Sequence, residues 1–237
     1  MLQCSRGISI GDNSNIDELA DKVSHDDMLM RDVDFARADE LDEVVGSEMK
    51  GLNFLVEMGF RVPRLLNYYK ERGVKKVKGY DVVKFNVEVG NKLGFDTEVK
   101  DFNNLGLNLK DLNDVDLLLG YHVLEHLSRP DLVLANIYNN LKRGALLHLE
   151  IPIGPVVIPE VGKGHLFTFH PRDLGRILDN AGFKVLSAGF FVISQGVHGK
   201  VLSSKLVSEL AEAYEGIPEP IARRASCLTE RYVARKE

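Results

Sequence analysis

Residue types able to do acid–base or ligand chemistry gather at a few points of the chain. His122, Glu125 and His126 fall directly after the apolar run Leu117-Leu-Leu-Gly-Tyr121. His165 and His170 lie in a later loop, Gly162-Lys-Gly-His-Leu-Phe-Thr-Phe-His-Pro171. Glu150 stands at the end of the apolar run Ala145–Ile151. Asp81 closes the segment 74–81, Asp101-Phe102 follow Phe95–Val99, and Glu57-Met58-Gly59 follow Leu52–Val56. An imidazole titrates near neutral pH and can remove a proton from a reacting group. A carboxylate at a strand end can accept hydrogen bonds from two hydroxyls at once.

These groups are useful only if the elements carrying them bring them together. Short apolar runs at 52–56, 74–81, 95–99, 114–121 and 145–151 read as strands. They alternate with helix-like segments at 62–72, 84–93 and 129–141, stopped by Gly73, Gly94 and Gly144. Pro130 is permitted in the first turn of its helix. Beyond a Gly/Pro-rich loop, 171–181 reads as a helix, 183–193 as a strand, 203–214 as a helix and 228–234 as a closing strand. Strands alternating with helices predict an α/β doubly wound, mostly parallel sheet. Ligands of such sheets bind beyond the carboxyl ends of the strands. That rim gathers Glu57, Gly59, Asp81, Asp101, Phe102, Tyr121 and His122. Asp81 suits a pair of ribose hydroxyls, or else caps the helix that starts at Lys84. Asp101 and Phe102 suit an adenine amino group and ring, or else form a loop acid beside a core aromatic.

The composition agrees with an ordinary globular protein. The chain has 237 residues, 44% apolar and 27% charged, enough to bury a core unaided. Its two cysteines, Cys4 and Cys227, make neither a disulfide framework nor a metal motif. A reducing, cytoplasmic setting fits that usage. No apolar run reaches the length of a membrane span. The net charge is −5, and residues 12–48 alone hold thirteen acids against three Lys/Arg. An acidic chain is a poor binder of nucleic acid. The stretch 1–48 reads as an N-terminal extension or lid with a short helix at 15–23 and a solvated acidic face, ahead of one domain at 49–237.

The segment Asp114-Val-Asp-Leu-Leu-Leu-Gly-Tyr-His-Val-Leu-Glu-His-Leu127 resembles the fourth strand and following turn of class I S-adenosylmethionine-dependent methyltransferases. Pro130–Gly144, Asn180-Ala-Gly-Phe-Lys-Val185 and Tyr232–Lys236 resemble the later elements of the same family, so the likeness spans about 50–237. It implies a seven-stranded Rossmann-like sheet with one antiparallel strand near an edge. It implies S-adenosylmethionine as cofactor, with Glu57 and Gly59 in the first cofactor loop, Asp81 on ribose, Asp101 and Phe102 about adenine, and Tyr121 and His122 near the transferred methyl. The family's first loop reads E/D-x-G-x-G-x-G, whereas this chain has Glu57-Met-Gly-Phe-Arg-Val-Pro63. Either the loop is rebuilt and Arg61 pairs with the methionine carboxylate, or binding is weakened and the domain is a non-catalytic binding module.

The loop at 162–171 resembles the acceptor wall of methyltransferases that act on sugars and other small hydroxylated molecules. The resemblance implies O-methylation of a small molecule or glycan, a sugar hydroxyl foremost. His165 is the first candidate base and His122 the second, and His170 serves equally well as a helix cap. Glu150 is a candidate for holding a substrate hydroxyl. Together with His122 and His165 it could also hold a divalent metal, though no spacing demands one. No Asn-Pro-Pro-Tyr-like tetrapeptide follows the fourth strand, which argues against an amino-group acceptor.

Overall fold

The structure, a computed structural model, describes residues 32–153, 166, 169–194, 197–202 and 227–237. Eight strands form one sheet: β1 (Phe54–Met58), β2 (Lys76–Asp81), β3 (Asp96–Val99), β4 (Leu117–Tyr121), β5 (Leu146–Ile153), β6 (Phe183–Ser194), β7 (Val197–Leu202) and β8 (Cys227–Lys236). Their order is β3-β2-β1-β4-β5-β8-β6-β7. The first five run parallel, and β8 inserts antiparallel between β5 and β6. All seven expected strands are present. An eighth, β7, folds back on β6 and extends the edge. The strand order reverses between β1 and β4, which puts the ligand crevice above their carboxyl ends.

The helices are α1 (Asp32–Val45), α2 (Arg64–Glu71), α3 (Lys84–Lys92), α4 (Pro130–Asn140) and α5 (Asp173–Ala181). Central strands are buried on both faces, so they read as continuous apolar runs, as Leu117-Leu-Leu does. One face packs Val56, Leu118, Leu147 and Leu149 against residues of α4 and α5. The other packs Leu55, Leu119 and Leu146 against Leu41 of α1 and Leu65 and Leu66 of α2.

Helix α1 corrects an expectation. Its acidic sequence reads as a solvated face, yet Asp34 and Arg37 are 1% and 5% exposed. The cause is pairing: Arg37 Nη1 donates to Asp34 Oδ1 at 3.1 Å, and both meet charged partners on neighbouring elements. The expected helices at 15–23 and 203–214 lie outside the described residues.

Candidate active site

The altered loop after β1 keeps the backbone path that glycines would give it. Gly59 has φ 68 and Arg61 has φ 48. Arg61 occupies the position of the family's second glycine, and it adopts the left-handed conformation glycine favours, at a cost of about 1–2 kcal/mol. Strain of this kind persists where surrounding structure holds it. Two contacts do so here. The Arg61 N–H donates to Asp81 Oδ2 at 3.1 Å. Phe60, between the two turns, is buried against β2, where a side chain on Gly79 would lie 2.6 Å from its ring.

Asp81 serves as the loop's anchor. Besides Arg61, it accepts the Val83 N–H at 2.8 Å and Asn86 Nδ2 at 3.1 Å. Val83, not Asp81, is the N-cap of α3, and that helix start has no side-chain cap bond, so the capping expectation is corrected: Asp81 instead ties the turn before α3 to the loop. Asp101 is exposed and accepts the Asn103 N–H at 2.9 Å. Phe102 is turned into the core, edge-on to Tyr80 at 6.1 Å, so its ring offers no open face at the rim. The exposed apolar surface beside Asp81 belongs instead to Val82, Val83 and Val99, 61%, 48% and 48% exposed. Sequence reasoning missed these three; the signal was valine on both sides of a strand end that needs none.

Glu57 sits at the foot of the loop. It is buried, and its Oε2 has no hydrogen-bond partner. Burial, with Asp34 and Asp81 nearby, pushes its carboxyl well above the usual range, against Arg37 and Arg64. A buried orphan acceptor beside a solvent-facing loop is the kind of group a ligand completes.

The rim of β4 and β5 carries a charged cluster. Pairing register sets Tyr121 beside Glu150 and Glu150 beside Arg231, on one face of three adjacent strands. Arg37 reaches down from α1 and donates to both Glu150 oxygens, Nε to Oε2 at 3.0 Å and Nη2 to Oε1 at 2.8 Å. Its guanidinium also lies 4.3 Å from the centre of the Tyr121 ring. Arg231 donates to Glu150 Oε2 from the opposite side. His122 Nε2 lies 2.9 Å from Glu150 Oε1, and its Nδ1 is 3.4 Å from Glu125. Burial raises Glu150, but Arg37, His122 and Arg231 outweigh it and hold the carboxylate far below its usual range. Burial lowers His122, but Glu125 and Glu150 outweigh it and raise the imidazole to about 9. His122 is therefore an imidazolium at neutral pH, a hydrogen-bond donor rather than the base expected of it. Its φ of 56 places its ring between the two carboxylates.

Behind this cluster the Tyr121 hydroxyl lies 2.8 Å from His148 Nδ1, and His148 Nε2 is 3.5 Å from Glu40 of α1. Arg37, Glu40, His148 and Arg231 were not anticipated. Alternation in β5 and β8 assigns His148 and Arg231 to one face, but only the α1 contact reveals that this face is polar.

Residues 56–149 match the family described as "Methyltransferase domain". Over that stretch the chain is similar to a methyltransferase domain. A methyltransferase from Archaeoglobus fulgidus described as SAM-dependent shares 19% identity, with 85% of this chain and 93% of that one covered, at a TM-score of 0.56. An S-adenosylmethionine-dependent methyltransferase from Mesorhizobium loti shares 15%, covering 86% and 98%, at 0.58. A methyltransferase candidate from Bacillus halodurans shares 16%, covering 84% and 99%, at 0.60. At such identities the likeness establishes the fold. No curated protein sequence matches this chain.

The residues at this rim fit S-adenosylmethionine, the cofactor that the sequence resemblance implies: a left-handed turn at 59–61, an anchoring carboxylate at Asp81, exposed valines beside it and the orphan Oε2 of Glu57. His165 lies outside the described residues, so the cluster of Glu150, His122 and His165 is not assembled among them. Among the described residues no group of three His, Cys, Asp or Glu could hold a metal ion. His170 is exposed, and its N–H donates to Asp173 Oδ2 at 2.9 Å, a contact at the start of α5 made by backbone and not by the ring. Leu166 donates its N–H to the Glu125 carbonyl at 2.7 Å, which ties the later loop to the turn after β4. Among the described residues no helix is long and apolar enough to cross a membrane.

Proposed function

We propose that this methyltransferase moves the methyl group to a hydroxyl of a small molecule or glycan, with a sugar hydroxyl as the preferred acceptor. One observation carries the reading: both oxygens of Glu150 and the face of Tyr121 lie together at the rim of β4 and β5. A carboxylate with both oxygens directed at one partner matches two adjacent hydroxyls, and an aromatic face matches the apolar side of a sugar ring. The same groups would also accept a cation, which is how Arg37 uses them.

S-adenosylmethionine supplies an electrophilic methyl on a sulfonium. The chain's residues have three tasks. Glu57, Gly59, Arg61 and Asp81 hold the cofactor, with Arg61 assigned to the methionine carboxylate and Asp101 nearest the base alongside the exposed valines. Tyr121, Glu150 and the His122 imidazolium orient the acceptor, which converts an encounter into an aligned displacement. His165 is assigned as the base, since His122 already carries its proton. Once bound, the cofactor would supply the methyl and leave as a neutral thioether, while His165 would take the proton of the attacking acceptor hydroxyl. The setting proposed is cytoplasmic, with no nucleic-acid partner.

The test is calorimetric titration with S-adenosylmethionine and S-adenosylhomocysteine, then acceptor screening with sugars. Micromolar binding of both supports the reading. Failure of both overturns it in favour of a non-catalytic module. His165→Ala should lower turnover far more than cofactor affinity, and unchanged turnover would remove it as the base.

A further inference from the structure

The front of α1 covers the acceptor side of the rim, and it is held there by charge. Of its buried residues, Asp34, Arg37 and the small Ala38 lie in the first half, while Leu41 and Val45 lie in the second and join the apolar cluster on that face. Arg37 spans Glu150 and the Tyr121 face, the groups assigned above to the acceptor. Arg64 of α2 lies 3.5 Å from Asp34, and Glu40 lies 3.6 Å from Arg231. Gly46, just past the helix, has φ 54, the turn that ends it.

This interface is poorly made for a permanent dry seam. Glu40 Oε2, His148 Nε2 and Arg231 Nη1 face one another at 3.5–3.6 Å, too far apart for good hydrogen bonds, and Arg231 Nη2 is buried without a hydrogen-bond partner. Buried polar groups are ordinarily paired, and each exception calls for a reason. Access of water on opening supplies one: these groups are satisfied when the front of α1 lifts.

We propose that α1 is a gate on the acceptor pocket, with Arg37 as its latch: it occupies the acceptor's place in the closed form and leaves when the helix swings about its apolar rear half. This rests on the reading of the β4–β5 rim as the acceptor site, but the closed and open forms are distinguishable without any cofactor. An acceptor that satisfies Glu150 and covers Tyr121 replaces Arg37 contact for contact, so acceptor binding and opening are coupled.

Hydrogen exchange on the full chain tests the gate. In Arg37→Met the amides of 33–40 should exchange about 100-fold faster, as expected for loss of charge-assisted bonds. Amides of β1 and β4 should keep their protection. Unchanged exchange at 33–40 overturns the latch. Loss of protection in helix and sheet together overturns the gate, because α1 is then part of the cooperative core. A second route keeps Arg37. Ala38, 2% exposed, is replaced by cysteine in a Cys4→Ser, Cys227→Ser background, and its labelling rate is compared with global unfolding. Labelling about 100-fold faster than unfolding supports local opening. Labelling at the unfolding rate refutes it. Calorimetry with S-adenosylhomocysteine reports separately on the methyl-transfer reading.

Discussion

Replacing Arg61 with glycine separates what its backbone costs from what its side chain does. The residue has φ 48, its side chain is exposed, and its N–H bond to Asp81 is one glycine makes equally well. Relief of the left-handed strain returns about 1–2 kcal/mol. Glycine's greater freedom in the unfolded chain takes back roughly 0.5–1 kcal/mol. The net expectation for Arg61→Gly is a gain of about 0.5–1 kcal/mol, read by urea denaturation at matched slope. Cofactor affinity should move the other way. If the guanidinium meets the methionine carboxylate, its loss costs about 1.5–3 kcal/mol, roughly a 10- to 150-fold weaker dissociation constant. A variant less stable by about 1 kcal/mol or more would refute the strain argument. An unchanged dissociation constant for S-adenosylmethionine would remove Arg61 from the carboxylate while leaving the loop geometry in place.

Asp81→Ala should weaken cofactor binding by ~1–3 kcal/mol in calorimetry and also lower stability, because three donors lose their acceptor; an effect on neither would take Asp81 out of the site. Gly59→Ala places a side chain 2.6 Å from Val123 Cγ2 at φ 68, so both stability and cofactor binding should fall, by roughly 1–3 kcal/mol in stability; native behaviour in both assays would show that the turn is free to relax. Burial, against hydrogen bonds from Tyr232 and Arg172, raises Glu230 from 4.5 to about 7. The folded chain thus keeps a proton that the unfolded chain releases, so this contribution is complete below pH 4.5 and is lost as pH climbs through 7. Glu230→Gln should flatten that part of the stability–pH curve, and an unaltered slope between those pH values would show that the group titrates normally.

Much of the fold was legible in the sequence because parallel strands buried on both faces leave continuous apolar runs, and glycine marks where helices stop. Leu117–Tyr121 and Leu146–Ile151 announce themselves in this way, and Asp81, Tyr121 and Glu150 follow as strand-end residues. Helix α1 was not legible as a buried element. Asp34, Arg37 and Glu40 read as solvent-facing charge, since nothing in a local pattern distinguishes a charge facing water from one facing a partner a hundred residues away. The same limit applies to His122. Its type and position mark it as a base, but Glu125 and Glu150 make it a cation, and their approach depends on strand register and on a left-handed turn. Order along the chain determined the strands, their direction and the rim where chemistry gathers. Only tertiary packing decided which of the rim's charges pair, because a charge's protonation and role are set by the dielectric and the partners around it, and these are supplied by distant segments.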